Sequence, residues 1–355
     1  MKDVLFIVPY PLHRAPSQRF RVELYEPLLR DNHVSYDIFP FMDEATWNVI
    51  YKQTSAVSKI SGMLKGYRNR WRSLSRIRRY QFIFIHREAA PLGPPLFEWI
   101  IAKVLKKKVV YDFDDAIWIP NTSRVNKMAS WFKAFWKVKY ICKWSYKVAA
   151  GNDYLCRYAK QYNNNVELLP TCVDAVRGHY KVRQHYAHKP VLGWTGSHST
   201  LFYLDDIVPV LRELQEEIDF SFLVIADKNP ELDLKDWQFV PWNEKTEQED
   251  LLRMDAGIMP LKADAWSEGK CGFKLIQYMA LGIPPVASPV GVNKKIVDDG
   301  VNGFLCETKE EWKMKLKMLL TDESLRNKFG ERGREKIVSE YSIQSQQQRF
   351  LSLFK

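Results

Sequence analysis

Short apolar runs recur along this chain at the spacing of alternating strands and helices, and they do so in two separate series. The first opens with DVLFIV at 3–8 and continues at 34–39, 82–86, 108–112, 147–150 and 166–169. The second opens with VLGWTG at 191–196 and continues with FSFLVIA at 220–226, AGIMPL at 256–261 and a short run at 286–288. Runs that are apolar on both faces and separated by helical patterns predict parallel sheets covered by helices on each side. Residues 170–190 show no periodicity and contain the expected hinge. The predicted organisation is therefore α/β with an N-terminal domain over 1–175, a second domain over 190–335 and a helical tail that includes 340–355. A chain of 355 residues is long for one core and comfortable for two. Within the first domain a helix is predicted from about Arg19 to Arg30.

At 46% hydrophobic and 27% charged residues, the composition is that of a soluble globular protein. No apolar run approaches the roughly 20 residues that span a bilayer, and the N-terminal run suits a first strand better than a signal peptide. The cysteines at 142, 156, 172, 271 and 306 are scattered, without a CxxC pair. Reduced thiols and a cytoplasmic location are expected, with no zinc site.

The net charge of +11 is unevenly spread. Residues 1–170 carry 28 Lys and Arg against 14 Asp and Glu, so the excess lies entirely in the first half. Residues 51–80 hold nine basic side chains and no acidic ones, and 121–150 hold seven and none. An anionic partner for this half is implied. In 128–148 aromatics alternate with lysines, and Trp131, Phe135, Val138 and Cys142 share one helical stripe. That pattern suits a helix lying on anionic lipid, or equally a helix packed on its own sheet. An anionic membrane surface engaged through 51–80 and 128–148 is the partner expected. Nucleic acid is not, because no RNA- or DNA-binding motif appears.

Five loops carry chemistry. After the first run come Arg14, Ser17, Arg19 and Arg21, a donor-rich site for phosphate or carboxylate. HREAAPLGP places His86 and Arg87 directly after a strand; His86 could orient an acceptor or a catalytic carboxylate, or be a satisfied structural residue, and Arg87 could hold a phosphate. YDFDDAIW clusters Asp112, Asp114 and Asp115 at a strand's carboxyl end, where open α/β sheets place ligands. Three carboxylates so close require a cation, an arginine or a sugar hydroxyl between them. In the second half, WTGSHST presents Gly196, Ser197 and His198 ahead of a helix. GKCGFKLIQ presents Lys270, Gly272, Phe273, Lys274 and Gln277, and Gly272 lets the backbone approach a ligand closely. Lys274 opposes the helix dipole, a conflict that a bound phosphate would resolve.

The block GKCGFKLIQYMALGIPPVASPVGVN, with GVNKKIVDDGVNGFL overlapping its end, resembles the C-terminal donor-site signature of the retaining glycosyltransferase family 4. Gln277 stands where that family has its second glutamate and Gly269 where it has the first, with Glu268 one residue upstream. The resemblance implies the GT-B fold: two Rossmann-like domains facing a cleft, with residues 340–355 as a crossover helix packing back on the N-domain. It implies transfer of a sugar from a nucleotide-diphosphate sugar, with retention and without a metal or other cofactor, to a cell-envelope glycolipid or polysaccharide precursor. Arg14, Ser17, Arg19, Gly196, Ser197, His198, Lys270, Gly272, Phe273, Lys274 and Gln277 would bind the donor. Asp114, Asp115 and His86 would carry catalysis. The expected location is the cytoplasm, at the inner face of the cytoplasmic membrane. Other readings are a non-catalytic GT-B partner of an active transferase and a nucleotide-sugar epimerase. Asp-Phe-Asp also mimics the metal-binding DxD of the GT-A fold, which two consecutive αβ halves do not fit.

Overall fold

The computed structural model describes residues 2–51, 56–120, 133–178, 181–183 and 189–355. The chain divides into two compact units: Met1–Thr171 together with Gln347–Lys355, and Cys172–Gln346.

The first unit is built on six parallel strands: β1 (Lys2–Val8), β2 (Tyr36–Pro40), β3 (Tyr80–His86), β4 (Lys108–Phe113), β5 (Lys147–Ala150) and β6 (Val166–Leu168). Their order is β2-β1-β3-β4-β5-β6. Val4 through Val8 are all fully buried, as a central strand covered on both faces requires. The strand order reverses at β1, which pairs with both β2 and β3. Loops leaving the carboxyl ends at such a reversal diverge and leave room for a ligand.

The helix expected over Arg19–Arg30 is broken into Pro16–Arg21, a 3-10 turn at Glu23–Tyr25 and Glu26–Asp31. Val22 leaves helical geometry (φ −127°, ψ −64°), and Pro27, lacking an N–H, occupies the first turn of the last piece. The continuous aromatic-lysine helix over 128–148 is also corrected. Residues 128–132 lie outside the described residues, and the helix runs only Lys137–Trp144. Asn163 Nδ2 ends it by donating to the carbonyls of Cys142 (2.7 Å) and Ser145 (2.8 Å), and β5 begins two residues later. Val138, Ile141 and Cys142 are buried, so this stripe faces the protein's own core.

Residues of the Gln347–Lys355 segment complete that core. Phe350 stacks face to face on Tyr25 (3.8 Å between centroids), and Phe354 meets Phe82 and Phe6 edge-on at 5.9 and 6.2 Å. Aromatic pairs at these separations add to the burial of their area.

The second unit has β7 (Val191–Gly196), β8 (Ser221–Ala226), β9 (Trp237–Pro241), β10 (Ala256–Met259), β11 (Pro285–Ala287) and β12 (Phe304–Leu305), in the parallel order β12-β11-β10-β7-β8-β9. Its core joins Leu192, Trp194, Phe222, Val224 and Ile258 to Leu316 and Phe329 from helices Lys309–Thr321 and Glu323–Glu340. The two strands not foreseen, β9 and β12, are the outer edges of this sheet, and neither has the all-buried pattern that betrays a central strand.

Candidate functional site

In the first unit the chemistry gathers at the carboxyl ends of β1, β3 and β4. His86 ends β3 and lies directly across the ladder from Asp112 in β4. Both are fully buried. His86 Nδ1 is 2.7 Å from Asp112 Oδ2, and Nε2 is 3.0 Å from Ser17 Oγ, in the loop-to-helix turn after β1. Ser17 in turn donates to Asp114 Oδ1 at 2.7 Å. Arg21, 1% exposed, grips both oxygens of Asp112 through Nε at 3.2 and 3.3 Å, with a further contact from Nη2. Arg87 Nη1 reaches Asp115 Oδ2 at 3.2 Å, Ser17 Oγ at 3.4 Å and Asp114 Oδ1 at 3.5 Å. The compensation that three adjacent carboxylates require is thus supplied by two arginines.

Arg87 adopts a left-handed backbone (φ 61°), a strained position for a residue with a Cβ. Its own N–H donates to the carbonyl of Asp112 (2.8 Å), and Tyr111 Oη donates to its carbonyl (2.8 Å). These bonds hold the turn that aims its guanidinium at Asp114 and Asp115. Burial disfavours the charged form of Asp114, but Arg87, His86 and Arg21 outweigh it and hold the carboxyl below its ordinary 3.8. Asp112 is likewise held low, against burial, by Arg21 and His86.

Of the residues expected here, Ser17, His86, Asp114 and Asp115 meet. Arg14 stands apart, half-exposed and paired with Glu44 (Nε to both oxygens at 3.0 Å). Arg19 lies over the ring of Phe20 at 5.1 Å. Asp112 and Arg21 were noted in the sequence but not placed in the site. A charge inside an otherwise apolar strand such as KVVYDF is the signal that could have found the pair.

In the second unit the carboxyl end of β7 meets the start of the helix Phe273–Ala280. Thr195 N–H donates to Tyr278 Oη (3.0 Å), and Lys274 Nζ sits 5.4 Å above the ring of Trp194. Gly272 precedes the helix with φ 66°, a left-handed backbone that favours glycine, and a Cβ there would have to displace Ile296 Cδ1. Gly291, in the following turn, has φ 55° and its N–H faces Glu268 Oε1 at 3.4 Å. Lys270 Nζ lies 4.8 Å above Trp266. Gln277 is 3% exposed and its Nε2 has no partner among the described residues; the same holds for Oδ1 of fully buried Asn293. Leaving such groups unmade is costly, and a bound ligand is one way to satisfy them. At the end of β7 Ser197 forms a capping box with Thr200 beside Gly196. His198 Nδ1 is 2.6 Å from Asp227 Oδ2, at the end of β8. Among the described residues no group of three or more His, Cys, Asp or Glu is placed to hold a metal ion.

Two α/β units, each with an all-parallel six-stranded sheet and with polar residues at the carboxyl ends of its strands, make this a GT-B fold. Residues 207–336, which include the Gly272 turn and its helix, match the family model described as glycosyl transferases group 1. No curated protein matches the chain. Among solved structures it is similar to sucrose-phosphate synthase from Thermosynechococcus elongatus, with 12% identity and a TM-score of 0.72 over 99% of this chain and 98% of that one. Anabaena HepE, solved with UDP and glucose, gives 13% identity and a TM-score of 0.68 over 99% of each chain. The lipopolysaccharide outer core galactosyltransferase WaaB gives 12% and 0.62 over 99% and 98%. The fold is common to all three, and together with the group 1 match it supports glycosyltransferase activity.

Proposed function

We propose that this protein is a retaining, metal-independent glycosyltransferase of family 4, moving a sugar from a nucleotide-diphosphate sugar to a cell-envelope glycolipid or polysaccharide precursor. The observation that carries the reading is the Gly272 turn. A glycine in left-handed geometry opens a helix whose first turn holds Lys274 and whose buried face holds the unsatisfied amide of Gln277. The diphosphate would lie against the backbone N–H groups of Gly272 and Phe273 with Lys274 and Lys270 opposing its charge, and Gln277 would hydrogen-bond the ribose. Gly196, Ser197 and His198 would border the same ligand from β7. As the glycosidic bond stretches, charge grows on the leaving diphosphate, and these fixed donors stabilise it there. Asp114 and Asp115 would contact the transferring sugar or the acceptor.

A lipid-linked acceptor is supported by the helix Ala56–Ile77. Val57, Ile60, Leu64 and Trp71 recur at helical spacing and are each at least half exposed, among Lys59, Lys65, Arg68, Arg72 and Arg76 with no acidic residue. That composition suits a helix lying on an anionic surface and supports the reading of a protein that works at the cytoplasmic face of a membrane. No helix of the described residues is long and apolar enough to cross one.

The test is calorimetry and thermal shift with UDP-, GDP-, ADP- and dTDP-sugars, with and without EDTA. One donor should stabilise the protein whether or not EDTA is present, and Lys274→Ala should lose that effect while keeping its unliganded melting temperature. If folded protein binds no donor, it is a non-catalytic GT-B partner instead.

A further inference from the structure

Three successive crossovers put their helices on one side of the first unit's sheet. From β2 to β3, β3 to β4 and β4 to β5 the chain steps the same way along the strand order. Right-handed crossovers then leave Ala56–Ile77, Leu96–Trp99 with its continuation Ile100–Val104, and Lys137–Trp144 side by side on one face. Trp71 of the first meets Phe97 of the second edge-on at 5.1 Å, and Lys137 of the third donates to the Ala90 carbonyl, shortly before the second, at 2.9 Å. The opposite face is taken by Gln347–Lys355, whose Phe354 packs on Phe6 and Phe82.

The outward side of these helices is rich in rings. Lys137–Trp144 buries Val138, Ile141 and Cys142, and its other side carries a ladder, Trp136 to Tyr140 at 5.6 Å and Tyr140 to Trp144 at 5.7 Å. Trp136 is 51% exposed, and Trp99 on the neighbouring helix is 43% exposed. Leu96 and Val104 are exposed beside Trp99, as Leu64 and Trp71 are on Ala56–Ile77. Single exposed apolar residues need no explanation, but a set shared by three adjacent helices marks an interaction site. The surrounding charge has one sign. Arg68, Arg72, Arg76, Lys103 and Lys143 are exposed, while the one carboxylate carried by the three helices, Glu98, is buried and accepts the Ala89 N–H at 2.8 Å. Indole and phenol rings set among cations match the boundary between anionic headgroups and acyl chains, where such rings keep their polar edge in water.

We propose that this three-helix face is the surface by which the first unit sits on an anionic bilayer, with Trp99, Trp136 and Tyr140 entering the interface and the arginines and lysines holding lipid phosphates. The inference rests on the membrane contact read above from Ala56–Ile77 and extends it to two further helices. It also fixes an orientation: the sheet turns this face to the lipid and Gln347–Lys355 away from it. A single helix lying on the surface would need no ring from residues 99 or 136.

Phosphatidylglycerol vesicles with brominated acyl chains read this directly, because bromine quenches indoles that enter the bilayer. Emission of the full-length protein should fall on binding. The double variant Trp99→Phe, Trp136→Phe keeps an apolar ring at both positions, and it should float to the same extent while losing at least half of the quenching. Trp136→Ser with Tyr140→Ser should weaken vesicle binding about tenfold at an unchanged melting temperature. Bound protein whose quenching is the same in the double variant overturns the proposal and leaves Ala56–Ile77 as the contact. Self-association without vesicles that Trp136→Ser with Tyr140→Ser abolishes would assign the face to a second copy of this chain and overturn it as well. Protein that floats with no anionic vesicle removes both this surface and the membrane reading. None of these outcomes uses a sugar donor, so they stand apart from failure of the calorimetric screen.

Discussion

Arg87 is the residue on which the first unit's charge cluster depends. Its guanidinium reaches both Asp114 and Asp115, and it holds a left-handed backbone to do so. Arg87→Ala removes the guanidinium that Asp114 and Asp115 share, and should cost about 3 kcal/mol in urea unfolding. The pH dependence follows from the sign of the shifts. Asp112 and Asp114 are held below 3.8 in the folded protein, so their contribution to stability is complete above that value and is lost as pH falls through the folded-state values. Arg87→Ala removes the largest opposing charge on Asp114, which returns that carboxyl upward. The variant should therefore unfold at a higher pH than the unsubstituted protein in an acid titration followed by near-UV circular dichroism. An unchanged acid midpoint would mean that Arg87 is a bystander. Much of this cluster was legible: three aspartates in four residues at a strand end announce a charged site and a need for cations. What hid the answer was distance along the chain. The cation for Asp112 lies 91 residues away, in a loop read as contacting a ligand and not a buried carboxylate.

At the scale of the element, the basic stretches divide into those that face solvent and those that build the core. Arg70 is 2% exposed and donates to the carbonyls of Ala89 (2.8 Å), Phe39 (3.0 Å) and Val8 (3.1 Å); burial pushes its pKa down to about 10. Lys137 is 3% exposed, with Nζ on the Ala90 carbonyl at 2.9 Å. Counting charges along the sequence could not separate these from the lysines and arginines on the outer face, because which side of a helix meets the sheet is settled by packing. The strands were legible for the opposite reason: parallel strands buried on both faces leave continuous apolar runs. For the helix Ala56–Ile77 the outward face makes a sharp expectation. Leu64 is 64% exposed, so Leu64→Glu should change stability by no more than about 0.5 kcal/mol. It should nevertheless abolish co-flotation with phosphatidylglycerol vesicles, while binding to phosphatidylcholine vesicles is absent in both proteins. Equal flotation of the two proteins would remove the membrane from the proposal.

For the whole molecule, the partition of the chain matters more than the length of either half. The first unit is completed by Gln347–Lys355, in which Phe350 and Leu353 are fully buried. Phe350→Ala deletes a ring stacked on Tyr25 and should destabilise the first unit by about 3 to 5 kcal/mol in guanidinium unfolding, with the transition of Cys172–Gln346 unmoved. A single shifted transition for the entire chain would show instead that the two units unfold together. From the residues alone the tail could be read only as helical, since FLSLF carries no mark of the sheet it joins; its packing on the N-domain came from the family resemblance.

That partition also sets an order of events at birth. Residues 1–171 leave the ribosome first, yet Phe6, Tyr25 and Phe82 have no Phe350 or Phe354 to close against until some 180 further residues have been translated. The later-made unit, contiguous from 172 to 346, has every part of itself in hand sooner than the earlier one does. A nascent chain stalled before residue 347 therefore holds an open aromatic face, the kind of surface that chaperones engage.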